Sequence, residues 1–132
     1  MSAKGHPAPN RKPKGEALKN EVLRFYKRNA RNRGLEWSLT DEQFKVLIMG
    51  SCRYCGAVSS MTLVRPCLYG ELVYNGVDRK DNDLGYTVGN SVSCCKTCQK
   101  MKGTMTYEEF ISQAKSVAEF AHIAQSGQSG GL

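Results

Sequence analysis

The sequence predicts a small α+β domain: a short hairpin and a helix gathered at a cluster of cysteines, with amphipathic helices on either side. Three observations carry this expectation. Apolar residues recur at helical spacing near both ends, at Leu18, Val22, Phe25, Tyr26 and Ala30 and again at Phe110, Ala114, Val117, Ala118 and Ala121. Residues 72–78 (LVYNGVD) are rich in strand formers, and a turn-rich stretch separates them from a short return strand at 91–93. Two Cys-x-x-Cys pairs, Cys52/Cys55 and Cys95/Cys98, bracket that segment.

Taken in order, residues 1–15 hold three prolines and two glycines with few apolar side chains, which predicts a disordered basic arm. The single folded domain then runs from 16 to 124. Its first helix begins at Glu16 and stops near Gly34. A second helix starts at Thr40, where Gln43 completes a capping box. Phe44, Val46, Leu47 and Ile48 form its apolar side, and Gly50 ends it. Cys52–Cys55 and Gly56 make a tight turn. Residues 57–71, broken by Pro66 and Gly70, read as loop, and Asn75-Gly76 as a bend within the strand that follows. A helix starts again around Cys98, and the last one covers 106–124. The tail 125–132 (QSGQSGGL) reads as flexible.

A chain of 132 residues suits one domain, and 40% hydrophobic with 23% charged residues is ordinary for a soluble protein. No apolar run approaches the roughly 18 residues of a membrane span, and no apolar stretch follows the basic N-terminus, so neither a membrane helix nor a secretory signal is expected. An intracellular location follows as an expectation, and there cysteines serve as metal ligands or thiols. The net charge of +7 is uneven. Residues 1–33 carry ten Lys/Arg against Glu16 and Glu21, a balance of +8, while the remainder carries nine against ten, −1. A basic arm and helix on a near-neutral body is a nucleic-acid footprint, although a solubilising tail has the same composition. Lys19, Arg24, Lys27, Arg28, Arg31 and Arg33 are the candidate phosphate contacts.

Each Cys-x-x-Cys pair offers two thiolates from one tight turn, and two pairs complete a closed tetrahedral site of the structural zinc type. Unrelated thiols or a redox pair are the rival reading. Cys94 lacks the x-x spacing to Cys98 that Cys95 has, and Cys67 is expected to be a buried free thiol. The pairs lie farther apart than in an ordinary zinc ribbon, so something is built between them. That insertion reads Gly76-Val-Asp78-Arg79-Lys-Asp81-Asn82-Asp-Leu-Gly85-Tyr86-Thr87-Val-Gly-Asn90, and after the second pair come Gln99, Lys100 and Lys102.

These residues resemble the zinc-stapled branch of the HNH, or ββα-metal, endonucleases. The segments 26–34 and 38–44 leading into Cys52 resemble small phage, homing and rare-cutting restriction members, and the resemblance covers about residues 22–120. It implies a hairpin packed on a helix with one divalent ion, Mg²⁺ or Mn²⁺, between them. Asp78 at the strand end and Gln99 in the first helical turn would hold the ion, which would polarise the scissile phosphate and stabilise the leaving 3′-oxygen. Asn90 would tie the loop to the hairpin and help orient the attacking group. Lys100 and Lys102 would lie near a helix N-terminus that favours phosphate. DNA is the implied substrate. One such site cuts one strand, so double-strand cleavage implies a homodimer or two sequential events.

The sequence departs from the family pattern twice. The position after the strand acid, commonly the general-base histidine, is Arg79, as in some branches. Both histidines, His6 and His122, lie outside the motif. Arginine keeps its proton at useful pH, so Arg79 would hold phosphate and stabilise transition-state charge. The base or nucleophile would then come from Tyr86, Tyr26, Glu36, Asp81 or metal-bound water. Position 99 is glutamine where asparagine is commoner, which retains the carbonyl and adds a methylene. Individually Asp78, Asp81, Asn90 and Tyr86 read as turn, cap or packing residues; between two cysteine pairs they read as a nuclease site. The rivals are a catalytically silent DNA-binding module of the same fold and a protein-binding adaptor.

Overall fold

The computed structural model describes residues 13–131, with side chains described through residue 126; the expected basic arm falls almost wholly outside that range. The elements are α1 (Glu16–Asn32), α2 (Asp41–Ile48), β1 (Met61–Val64), β2 (Glu71–Tyr74), β3 (Gly76–Arg79), β4 (Ser91–Cys94), α3 (Lys96–Lys102) and α4 (Tyr107–Gly131). The strands form two antiparallel hairpins. Met61 pairs with Tyr74 and Val64 with Glu71 in one, and Gly76 with Cys94 and Arg79 with Ser91 in the other.

α2 begins as its sequence dictates. Thr40 accepts from the Gln43 amide at 3.1 Å, and the Gln43 side chain accepts from the Thr40 amide at 2.9 Å. Lys27 on α1 reaches Asp41 at 2.9 Å, so the two N-terminal helices are tied across the start of α2. Leu18, Val22, Leu23 and Ala30 of α1 pack with Phe44 and Ile48 of α2 and with Leu72, Val77 and Tyr86 from the hairpins. A second, smaller cluster gathers Cys52, Cys94, Cys95, Cys98 and Phe110. Burying an apolar side chain of this size stabilises by roughly 1.5–3 kcal/mol, so the larger cluster supplies most of the core.

Four local expectations are corrected. Residues 61–64 are a strand, not loop: Pro66 and Gly70 lie in the connection of a hairpin whose inward residues alternate, a signal only four residues long. The strand expected over 72–78 is two strands parted by Asn75, which is fully buried and donates from Nδ2 to the carbonyls of Gly50, Ala57 and Val58. Those bonds, together with Asn75 N–H donating to Ile48 O, turn the chain out of one hairpin into the next. Phe25 and Val46, expected in the core, are exposed, and so are Val117, Ala118 and Ala121, because only the first turns of α4 meet the cysteine cluster through Phe110. Helix α4 continues through 125–131, where a flexible tail is expected.

Candidate metal centre and hairpin–helix site

The Sγ atoms of Cys52, Cys55, Cys95 and Cys98 all lie within 4.8 Å of one another, with Cys55 and Cys95 at 3.6 Å. Thiolates about 2.3 Å from a tetrahedral ion sit roughly 3.8 Å apart, so the cluster has the size such an ion requires. Cys52, Cys95 and Cys98 are buried and Cys55 is exposed. Cys95 also caps α3, its Sγ accepting from the Cys98 amide at 3.3 Å. Burial alone would push the Cys52 thiol up, but backbone hydrogen bonds from Cys95, Cys55 and Tyr54 outweigh it and bring it down to about 6. Cys98 is pushed up by burial and then by its neighbouring thiols. Four thiolates so close would repel one another, and a bound cation would resolve that conflict. Cys94 lies on β4 outside the cluster and donates to the Cys95 carbonyl at 3.4 Å. Cys67 is exposed, not buried, because it falls in the open connection of the first hairpin.

From this cluster α3 runs alongside β3 in the same direction. Gln99 donates from Nε2 to the Val77 carbonyl at 3.3 Å, and one helical turn later Lys102 donates to the Arg79 carbonyl at 3.0 Å. Gly76 is demanded by this approach: a Cβ there would lie 2.7 Å from the Tyr26 hydroxyl and 3.2 Å from Gln99 Oε1. Tyr26 accepts from the Val77 amide at 3.2 Å, and burial pushes its phenol up to about 12, so it stays protonated at neutral pH.

Asp78 is 7% exposed. Its Oδ2 accepts from the Tyr54 hydroxyl at 2.7 Å and faces the Lys102 ammonium at 3.3 Å. Lys102, expected on the DNA-facing surface, is therefore buried as the partner of Asp78, since a charge on the inner face of α3 needs an opposite charge beside it. Lys100 is exposed on the other side of α3. Tyr54 was missed because its position inside a cysteine pair signals only a knuckle. Its ring packs 5.1 Å from Phe110 and 5.5 Å from Tyr107, which directs the hydroxyl at Asp78.

Arg79 is buried and serves the loop: its Nη1 donates to the Asn82 and Leu84 carbonyls, and its guanidinium stands 5.6 Å from the Tyr86 ring centroid. Asn90 ties the same loop, donating to the Asp81 and Gly85 carbonyls and accepting from the Asp81 amide. Asp81 accepts from the Asp83 amide at 2.9 Å, a turn geometry. Tyr86 is buried against Trp37 and Tyr26, and Glu36 is exposed, its backbone paired to Tyr86. On α1, Arg24, Arg28, Arg31 and Arg33 are exposed, while Lys19 and Lys27 pair with Glu16 and Asp41.

A hairpin laid on a short helix, with four cysteines positioned for a metal ion where the helix begins, defines the ββα-metal fold of the HNH endonucleases. The chain superposes on the solved structure of PacI, a rare-cutting HNH restriction endonuclease, with a TM-score of 0.56, 21% identity and 81% of each chain covered. It is also 35% identical over 95 residues to an uncharacterized protein, R423, of Acanthamoeba polyphaga mimivirus. That stretch is 72% of this chain and only 16% of the relative, so the chain spans a small part of that protein's length. No family model matches the sequence. Among the described residues no helix is long and apolar enough to cross a membrane.

Proposed function

We propose that the protein is a metal-dependent DNA endonuclease of the zinc-stapled HNH type, acting on phosphodiester bonds in a DNA-containing intracellular compartment. A phage, homing or restriction setting suits it best. The observation that carries this reading is the α3–β3 seam: the cysteine cluster fixes the start of α3 against β3, and the seam presents Asp78 and Gln99 in turn. Four sulfur donors fit a closed structural zinc site. One carboxylate and one carboxamide fit a hard cation such as Mg²⁺ or Mn²⁺, which takes oxygen ligands and completes its shell with substrate phosphates. When bound, such an ion would supply charge stabilisation to the phosphoryl group.

The chain's own residues divide the remaining work. Tyr54 and Lys102 orient the Asp78 carboxylate. Asn90 and Arg79 hold loop 80–90 in shape beside it, and Arg79 adds fixed positive charge. Tyr86 and Glu36 remain the candidates for proton transfer, whereas the Tyr26 hydroxyl stays protonated and is engaged by the Val77 amide, and Asp81 shapes a turn. Arg24, Arg28, Arg31, Arg33 and Lys100 would grip the DNA backbone, giving salt-sensitive affinity. Two copies, or two successive events, would be needed to cut both strands.

The test is cleavage of supercoiled plasmid with Mg²⁺ or Mn²⁺ by zinc-loaded wild type and Asp78→Asn. Asparagine keeps a partner for Lys102 that alanine would remove. Nicking by wild type and none by Asp78→Asn supports the endonuclease. Equal DNA binding by both without cutting supports the second reading, a catalytically silent DNA-binding module, which is favoured by the intramolecular engagement of both Arg79 and Lys102.

A further inference from the structure

The cation beside Asp78 in this fold is an amino acid. The Lys102 side chain is 0% exposed, and its ammonium sits 3.3 Å from Asp78 Oδ2 and 3.0 Å from the Arg79 carbonyl oxygen. A buried ammonium is costly without an opposite charge, so the two residues hold each other in place. The same oxygen also accepts from Tyr54. Among the described residues the only group of three or more His, Cys, Asp or Glu side chains able to hold an ion together is the cysteine cluster, and Asp78 is not part of it. One carboxylate charge is thus met by one ammonium charge.

This balance bears on how a divalent ion could arrive. Affinity for hard cations rises with the number of negative ligands, and Mg²⁺ sites with few protein carboxylates rely on substrate phosphates. With its charge matched by Lys102, Asp78 is a poor attractor for a dication. A backbone phosphate supplies the missing negative charge and oxygens together.

We propose that Lys102 is a built-in counter-ion that makes divalent-cation binding at Asp78 conditional on DNA. This rests on the endonuclease reading and adds an order of events: the free, zinc-loaded protein holds no ion at Asp78, and the ion is recruited with the phosphate. Lys102 is on this account a positioning and affinity-setting residue for the carboxylate.

The experiment is a Mn²⁺ titration of zinc-loaded full-length protein, followed by the electron paramagnetic resonance of free Mn²⁺, and so independent of cleavage. Wild type without DNA should show no site tighter than about 1 mM, the weak end of protein cation sites. Lys102→Met should create one, tighter by roughly tenfold or more as expected when a unit charge about 4 Å away is removed, and Lys102→Met with Asp78→Asn should lose it. With a short duplex, wild type should gain one Mn²⁺ site above the DNA-alone background, absent in Asp78→Asn. A tight wild-type site without DNA that Asp78→Asn removes would overturn the proposal, and so would a folded, zinc-loaded Lys102→Met that binds no better than wild type. Should Lys102→Met fail to fold, the wild-type and Asp78→Asn arms with and without duplex still decide. A wild type that gains no site even with duplex overturns the proposal and points to the silent module, whereas a duplex-dependent site without cleavage would uphold it and count against the endonuclease alone.

Discussion

The Tyr54 hydroxyl donates a 2.7 Å hydrogen bond to Oδ2 of Asp78, so a residue inside the first cysteine knuckle holds the carboxylate of the hairpin strand. The knuckle therefore does more than pin α3. It also aims the one acid on the seam, and loading of the cysteine site and orientation of Asp78 are parts of one structure.

Removing that hydroxyl separates aim from packing. Tyr54→Phe keeps the ring against Phe110 and Tyr107. Hydrogen bonds to charged groups contribute about 1.5–3 kcal/mol, so plasmid nicking should slow by roughly tenfold in kcat, with KM little changed. Zinc content should stay at wild-type level, checked by metal analysis, and Tm should fall by roughly 5 °C. Loss of zinc with the hydroxyl would show that Tyr54 serves the knuckle alone.

Metal removal should unfold the second core cluster. Cys98 is both a member of the four-sulfur cluster and a buried residue of α3 packed with Phe110. Structural zinc contributes on the order of 10–16 kcal/mol of apparent binding energy in small domains. A strong chelator, or Cys98→Ser, should therefore lower Tm by tens of degrees and reduce helical circular dichroism as α3 detaches. Because the ligands must be thiolates, zinc should be lost more readily as pH falls.

Tyr26 sets an alkaline limit. Burial raises its phenol from 10 to about 12. Below pH 10 the folded and unfolded chains both carry the proton, and its contribution is complete. Above that, the unfolded chain releases the proton while the fold retains it, so stability falls by roughly 1.4 kcal/mol per pH unit until about pH 12. Urea midpoints measured across that window should decline steeply for wild type. Tyr26→Phe should decline less, the remainder coming from Tyr54 and Tyr74, which burial also raises.

The parts of the fold visible in the sequence are those whose signals are local. Thr40 and Gln43 announce a helix start by spacing alone, and two Cys-x-x-Cys pairs announce a four-sulfur cluster able to hold an ion. Asn90 as a loop tie came only with the family resemblance; in the fold its side chain bonds the Asp81 amide and the Asp81 and Gly85 carbonyls. What stayed hidden depends on distant partners. Asn75 breaks a strand because carbonyls from residues 50, 57 and 58 converge on it. Lys102 looks like any surface lysine until α3 is laid on β3, and Tyr54 becomes a site residue only when the knuckle meets Asp78. Phe25 shares a helical period with the core yet faces out, since α1 covers the hairpins with one face only.

The basic surface of α1 gives a quantitative prediction for DNA binding. Arg24, Arg28 and Arg31 are exposed and follow one another at spacings of four and three, so they share a helix face. Lys27 is already paired with Asp41 at 2.9 Å, and Lys19 lies 4.0 Å from Glu16. Each phosphate contact contributes about 0.9 to the slope of log affinity against log salt. Replacing the three arginines with glutamine should therefore reduce the slope by about 2.7, measured by fluorescence anisotropy of a labelled duplex between about 50 and about 200 mM salt. Lys27→Gln should change it far less, because that ammonium is engaged with the start of α2. An unchanged slope in the triple variant would move the DNA-facing surface off α1 and toward Lys100 on the exposed side of α3.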